Sequence, residues 1–321
     1  MKKIISSTMA LMLGAGIFPL ALAQGFPAKA VRLIVAFPTG GATDTFARIT
    51  AAEMTKTLGQ QFIVENRPGA GTTIAAEFVS RAPADGYTLL FTDLSTHAIT
   101  ASLYTKLQYH PLRDFAAVAA VNSSPLLLVA HPSVGVKSVR ELIALAKKNP
   151  GITFGNSGIG TVTHMTAEKF RMRAGIQVTP VSYKGGSLPV IALLSGEIVM
   201  VMATVPASLP YVRQGKLVAL GLAAQRRFPS LPDIPTIAET VKGAEGAVFS
   251  GVLAPAGTPQ NVIERLNAEF AKASDTPQAK EIFAANAAEA IKLSPSALMQ
   301  ELERDVKTWS EVVKATGVTL D

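Results

Sequence analysis

The sequence predicts an α/β protein of two lobes, each with a mostly parallel sheet flanked by helices. Short apolar runs alternate with helical patterns along most of the chain, which is typical of parallel sheets covered on both faces. A chain of 321 residues is too long for one small core and suits two domains. A glycine-rich loop also follows an apolar strand in each of the two expected lobes, as a two-lobed clamp would require.

The N-terminus has the composition of a secretory signal peptide, residues 1–23. A basic start (Lys2 and Lys3) leads into an apolar stretch, and Ala-Leu-Ala supplies small residues for cleavage after Ala23. A single-pass anchor is the alternative, but the apolar stretch is short for a span of about 20 residues. We therefore expect an exported chain that begins at Gln24.

Composition excludes several classes of function. The chain contains no cysteine, which removes disulfides, thiol catalysis and cysteine-ligated metals. Its formal net charge of +7 is scattered, and only 6% of the residues are aromatic, so no basic groove with stacking rings is indicated. The four histidines have no metal-ligand spacing. We expect no nucleic acid, no metal and no cofactor, and the mild positive charge suits an encounter with anionic solutes.

Strands and helices alternate up to about residue 258. Strands are predicted at Val31–Ala36, Phe62–Val64, Tyr87–Phe91, Leu126–Val129, Thr153–Phe154, Val178–Val181, Ile198–Met202, Leu217–Leu222 and Val248–Leu253. Helices are predicted at Thr43–Leu58, Ile74–Ser80, Val139–Lys147, Val162–Arg173, Ser187–Leu194 and Ala207–Gln214. From residue 259 to residue 318 the pattern predicts helices only, at about 260–273, 277–286 and 295–316.

Two strands are predicted to cross between the lobes. They are Ser124–Ala130 and Val248–Leu253, and each is followed by a proline-containing segment. If the chain leaves the first lobe at one and returns at the other, residues 124–251 form lobe 2. Residues 24–123 and 252–321 then form a discontinuous lobe 1.

The two glycine-rich loops favour anion binding. Phe37–Asp44 (FPTGGATD) and Asn156–Thr161 (NSGIGT) each precede a predicted helix, whose N-terminus offers unpaired amides and a partial positive charge. Their Thr, Ser and Asp side chains could alternatively be simple helix caps. A nucleotide loop is a further alternative, but the G-K-[S/T] signature and the dinucleotide glycine order are missing. Tyr183–Gly186 (YKGG) is a third loop of this type.

Ser95 and His97, which lie two residues apart, are the candidate residues for a hydrolase active site. No G-x-S-x-G elbow surrounds Ser95, and two such neighbours do not normally form a Ser–His hydrogen bond. The two side chains are more economically interpreted as hydrogen-bond donors to a ligand or as caps. His164 lies one turn into its helix and could face either the cleft or the sheet.

Eight stretches in this order resemble the Bug family of periplasmic solute-binding receptors of tripartite tricarboxylate transporters. They are VRLIVAFPTGGATDTFAR (31–48), VENRPGAG (64–71), ADGYTLL (84–90), STHAI (95–99), FGNSGIGTVTH (154–164), YKGG (183–186), PDIPTIAE (232–239) and LAPAGTP (253–259). The resemblance implies a type II periplasmic-binding-protein (Venus flytrap) fold and a periplasmic, non-enzymatic monomer. It implies a small carboxylate ligand held between the lobes and delivery to an integral-membrane permease. A ligand sensor for a signalling partner and an exported hydrolase remain as alternatives.

Carried over position by position, the resemblance implies seventeen ligand-binding residues. They are Phe37, Thr39, Gly40, Gly41, Ala42, Asp44, Ser95, His97, Asn156, Ser157, Gly158, Gly160, Thr161, His164, Lys184, Gly185 and Thr204. The chain departs from the family at Val199 and Ala203, where acidic residues are common. We therefore expect an aliphatic or aromatic mono- or dicarboxylate rather than an amino acid.

Overall fold

The structure, a computed structural model, describes residues 25–320, and the expected signal peptide lies outside this range. The strands are β1 (Val31–Val35), β2 (Phe62–Asn66), β3 (Thr88–Asp93), β4 (Phe115–Ala130), β5 (Ile152–Asn156), β6 (Val178–Ser182), β7 (Met200–Thr204), β8 (Val218–Leu222), β9 (Ala247–Pro255) and β10 (Glu289–Ala290). The helices are α1 (Ala42–Leu58), α2 (Thr73–Ser80), α3 (Leu94–Leu103), α4 (Val139–Lys148), α5 (Val162–Ala174), α6 (Leu188–Leu194), α7 (Val205–Arg213), α8 (Gln260–Ala273), α9 (Pro277–Ala285) and α10 (Pro295–Thr316). Within residues 25–320, no helix is both long enough and apolar enough to span a membrane.

The chain forms two lobes, each with its own region of sheet. In the first lobe β1 pairs in parallel with β2 and β3, while β9 lies antiparallel between β3 and β4. In the second lobe β5 pairs in parallel with β6 and β7, while β4 runs antiparallel to β7 and β8. Each sheet therefore combines predicted parallel pairs with antiparallel pairs contributed by the strands that link the lobes.

Strand β4 belongs to both lobes. Its first part pairs with β9 as far as Pro125, opposite Ala247, and from Leu126 onward it pairs with β7 and β8. The second crossing strand, β9, pairs with both β3 and β4. The lobes are therefore connected through the sheet itself.

The structure corrects two sequence-based expectations. Leu94–Leu103 forms α3, which was not predicted, because nearly all of its residues are buried and it has no polar face to reveal helical spacing. Glu289–Ala290 forms the short strand β10 beside β4, where only helices were expected. Two residues carry too little pattern to be recognised as a strand.

The C-terminal helices complete the first lobe. Helix α10 packs against α3 and β4, and α8 packs against α1 and β4. Their buried residues include Phe270 and Trp309, which extend the core around the first sheet. The sequence-distant tail thus supports the helices and strands that carry the site.

Candidate functional site

Four helices point their N-termini at one cavity between the lobes. Helices α3 and α7 begin directly after a strand, and α1 and α5 begin after the two glycine-rich loops; the four N-cap residues are Gly41, Asp93, Thr161 and Thr204. All four N-caps line one narrow cavity of about 20 Å³. The first amides of a helix have no intrahelical partner, and the macrodipole places roughly half a positive charge there. The cavity is therefore arranged to hold an anion.

The other lining residues are small, hydroxylic or apolar. They are Phe37, Ala42, Thr43, Thr96, Ser157, Val162, Thr163, Gly186 and Val248. Among the lining residues that the structure describes, none is Lys, Arg or His, and Asp93 is the one ionisable group. An anion bound here would be held by amides and hydroxyls rather than by an ion pair.

Helices α1 and α7 keep their N-terminal amides available. Gly41 has no side chain to cap α1, and the Thr204 hydroxyl makes no capping bond to α7. Thr204 is 8% exposed, and within residues 25–320 its Oγ1 has no hydrogen-bond partner. Such a buried hydroxyl costs free energy unless a ligand or water satisfies it. By contrast, the Thr161 hydroxyl already accepts from the His164 amide at 3.4 Å.

The loops of the two lobes touch across the cavity. A Cβ atom on Gly186 in the second lobe would lie 3.8 Å from Cα of Gly41 in the first lobe. A Cβ atom on Gly160 would lie 2.0 Å from Cδ2 of Leu103 in the first lobe. Since these contacts join residues of different lobes, the structure is a closed form.

Asp93 lines the cavity, and its carboxylate is held by hydrogen bonds from neighbouring residues. Its Oδ1 accepts from the amides of Ser95 (3.2 Å) and Phe249 (3.0 Å), and its Oδ2 accepts from the amide (3.3 Å) and the hydroxyl of Thr96. Burial raises the pKa of Asp93 to about 7, against the opposing effect of these donors. Both oxygens are saturated, so the carboxyl group serves the protein rather than a ligand.

Six of the predicted site residues line the cavity: Phe37, Gly41, Ala42, Ser157, Thr161 and Thr204. Gly158, Lys184 and Gly185 line the wider opening that adjoins it. Thr39 and Gly40 are exposed and line neither space. Only part of the first loop therefore lies beside the cavity, where the whole loop was predicted to lie.

Asp44 supports the first loop instead of facing the cavity. Its carboxylate accepts from the Gly40 amide (3.0 Å), Nδ2 of Asn66 (2.9 Å) and Nε of Arg48 (3.0 Å). Although burial opposes the change, these donors lower the pKa of Asp44. Asp44 thus fixes the conformation in which Gly41 reaches the cavity.

The second loop has a similar internal support. Oδ1 of Asn156 accepts from the Gly158 amide at 3.0 Å, and Nδ1 of His164 accepts from the Gly160 amide at 3.1 Å. His164 is buried, and this burial lowers its pKa. The imidazole therefore supports the second loop and does not line the cavity between the lobes.

Ser95 and His97 do not reach the cavity. His97 is completely buried, its Nε2 lies 2.9 Å from the Pro111 carbonyl oxygen, and its ring packs against Tyr109 and Phe115. Burial lowers the pKa of His97 to about 4. Neither residue lines the cavity, and α3 turns the side chain of His97 into the core.

Sequence reasoning missed seven lining residues. They are Thr43, Asp93, Thr96, Val162, Thr163, Gly186 and Val248. Asp93 carried a usable signal, because an Asp between a strand and a buried segment is a common N-cap. Val199 and Ala203 do not line the cavity, and Ala203 packs in the second-lobe core, so their apolar character does not define the ligand.

Two lobes joined by crossing strands, with an anion-binding cavity between them, define a type II periplasmic binding protein. The family model described as "Tripartite tricarboxylate transporter family receptor" matches residues 46–318, and the chain belongs to this family. The resemblance to Bug-type receptors is thereby confirmed, and the protein is a receptor rather than an enzyme.

Three similar proteins illustrate the relationship. Protein BugT of Bordetella pertussis is 34% identical over 311 residues, which cover 95% of each chain. The R. palustris protein Rpa4515, solved with adipate, has a TM-score of 0.88 and 33% identity over 92% of this chain and 99% of its own. MatC from Rhodopseudomonas palustris, solved with bound malate, has a TM-score of 0.83 and 34% identity over 90% of this chain and 100% of its own.

Proposed function

We propose that this receptor captures a small organic carboxylate in the cavity between its lobes and delivers it to a tripartite tricarboxylate-type membrane permease. The observation that carries the proposal is the convergence of four helix N-termini on a cavity with no basic side chain in its described lining. The partial charges of those helices favour an anion, and the hydroxyl of Thr204, which has no partner among the described residues, can orient its oxygens.

The proposed affinity is within reach of this arrangement. A micromolar dissociation constant corresponds to about 8 kcal/mol of binding free energy. Hydrogen bonds to a charged carboxylate contribute roughly 1.5–3 kcal/mol each, and burial of the ligand's carbon skeleton against Phe37 and Val248 adds to them. Several such contacts exceed the cost of ordering the ligand.

The cavity favours an acid without an ammonium group. The only ionisable lining residue described, Asp93, already accepts four hydrogen bonds and has no free acceptor for an amine. We therefore propose an aliphatic or aromatic mono- or dicarboxylate. Adipate and malate, found with similar receptors, are dicarboxylates without an amine and provide natural first probes.

The proposal includes the domain division and the location. Lobe 1 comprises residues 24–123 and 252–321, and lobe 2 comprises residues 124–251, which is supported by the change of β4 partners after Pro125. Residues 1–23 act as a signal peptide, and the mature monomer works in the periplasm, as its family relationship supports.

A thermal-shift screen of the mature protein tests the function. The panel contains malate, adipate, aliphatic and aromatic monoacids, the corresponding amides, and the common amino acids. We expect a ligand-induced rise in melting temperature with one or more acids and none with the matched amides. Binding restricted to amino acids or to uncharged compounds would overturn the proposed ligand class.

A further inference from the structure

We propose that Thr96 is the positioning residue that latches the lobes closed, through a hydrogen bond that forms only when α3 and α5 meet. The amide of Val162 donates to Oγ1 of Thr96 at 3.0 Å. Val162 is the first residue of α5 in the second lobe, and Thr96 lies in the first turn of α3 in the first lobe. The bond therefore joins the lobes at the wall of the cavity.

The orientation of the Thr96 hydroxyl is fixed by its second partner. The hydroxyl donates to Oδ2 of Asp93, so its lone pairs remain free to accept the Val162 amide. Asp93 is in turn held by the amide of Phe249, in crossing strand β9. The latch is thus connected to a strand that links the lobes.

Burial makes this contact stronger than an exposed polar link between the lobes. Thr96 is fully buried, whereas the ion pair of Arg226 with Glu289 is exposed at both side chains. Exposed ion pairs are weakened by water and salt. The Val162 amide would instead be left unsatisfied in the closed form if the Thr96 oxygen were removed.

The inference rests on the proposed function for its binding assay, but it concerns closure rather than the ligand. When the lobes separate, water can satisfy both the Val162 amide and the Thr96 hydroxyl. Loss of the bond to Val162 therefore penalises only the closed form, whereas loss of the hydroxyl's bond to Asp93 affects both forms equally. Since escape of the ligand requires opening, the dissociation rate constant is the quantity that Thr96 controls.

The experiment is a double-mutant cycle on the full mature chain. Thr96→Val removes the acceptor with little change of shape, Thr96→Ser keeps it, and Val162→Pro removes the donor. Proline is compatible with the first position of a helix, and Thr161 before it has the extended ψ of 160° that a following proline requires. Dissociation is followed by stopped-flow fluorescence of Trp309, the single tryptophan, whose ring lies 5.3 Å from Nζ of Lys169 on α5.

We expect Thr96→Val to accelerate dissociation of the best-binding acid ~10- to 100-fold, with Thr96→Ser within about threefold of the unmodified protein. The double variant should release the ligand no faster than the faster-dissociating single variant, because both changes remove the same bond. Unchanged dissociation in Thr96→Val, equal effects of Val and Ser, or fully multiplicative effects in the double variant would overturn the latch.

A ligand-free measurement separates failure of the latch from failure of the proposed function. If no acid raises the melting temperature of the unmodified protein, the proposed function fails. The latch is then judged by small-angle X-ray scattering of the ligand-free proteins. A larger radius of gyration for Thr96→Val than for Thr96→Ser supports it, and equal radii contradict it.

Discussion

A Cβ atom added to Gly185 would lie 2.7 Å from Cγ of Pro38, a separation too short for two carbon atoms. Gly185 belongs to the Tyr183–Gly186 loop of the second lobe, and Pro38 belongs to the first glycine-rich loop of the first lobe. The close approach of the two loops therefore depends on the missing side chain at position 185.

Gly185→Ala is expected to weaken ligand binding at least tenfold, because the methyl group blocks the approach to Pro38. Its φ of +128° adds backbone strain of roughly 1–2 kcal/mol in the folded protein. Isothermal titration calorimetry measures the affinity, and the ligand-free melting temperature measures the strain separately. Gly135→Ala is the matched control, since its φ of +74° is also positive and a Cβ there would meet nothing within 4 Å. Equal affinity in both variants would argue against close loop contact.

Gly41→Val is expected to abolish most ligand binding while the protein remains folded. Position 41 has a φ of −87°, which valine accepts, and a Cβ there meets only the Pro38 carbonyl oxygen, at 3.9 Å. The added side chain therefore occupies space beside the cavity without straining the backbone. The thermal shift caused by ligand should disappear. The control Lys147→Ala changes an exposed residue of α4 and should retain the full shift.

Gly158 is a poorer test of the second loop. Its φ of +138° strains any other residue, and a Cβ would lie 3.4 Å from the Tyr183 carbonyl oxygen. We expect Gly158→Val to lower both the ligand-free melting temperature and the affinity. A variant with normal ligand-free stability but lost binding would contradict this explanation.

His97→Phe should leave ligand affinity unchanged and lower stability in a pH-dependent way. Burial lowers the pKa of His97 from 6.5 to about 4, so between these values the unfolded chain takes up a proton that the native protein refuses. The stability contributed by neutral His97 is therefore complete above about pH 6.5 and is lost as the pH falls toward 4. The difference in free energy of unfolding between the two proteins should shrink by roughly 2–3 kcal/mol across this range.

Urea titrations of both proteins at pH 8 and pH 4.5 measure this difference. A constant difference, or an affinity loss at neutral pH, would contradict the placement of His97 in the core.

Asp44→Ala is expected to destabilise the first loop by roughly 1–3 kcal/mol, because Gly40, Arg48 and Asn66 lose their shared acceptor. Urea unfolding of the ligand-free protein checks this value. Thr39→Ala is the control in the same loop, since Thr39 is exposed and should change neither stability nor affinity. A variant at Asp44 with normal stability and lost binding would place its carboxylate at the ligand instead.

Local patterns predicted most of the lobes, but not the elements with uniform burial. The strands β1, β5 and β7 and the helices after them were recognisable from β-branched runs, glycine loops and helical spacing. The first half of β4 (FAAVAAV, residues 115–121) is alanine-rich, and alanine favours helix, so its strand character comes from pairing with β9. Tertiary context decided its conformation.

The site was predictable where it depends on loops and unpredictable where it depends on the relation of the lobes. Gly41 and Gly158 allowed the two loops to be predicted from the sequence alone. The Thr96–Val162 hydrogen bond joins residues 66 positions apart, and it exists only for one arrangement of two separate lobes. No local pattern encodes such a contact, and the same reason hid Val248 from the sequence.

We propose that helix N-termini hold the ligand carboxylate between the lobes. Calorimetric titration of the mature protein and of Gly41→Val, with the best acid of the panel and with its amide, tests it most directly. We expect micromolar or tighter binding of the acid to the unmodified protein, no binding of the amide, and loss of acid binding in Gly41→Val. Equal binding of acid and amide, or undiminished acid binding in Gly41→Val, would contradict it.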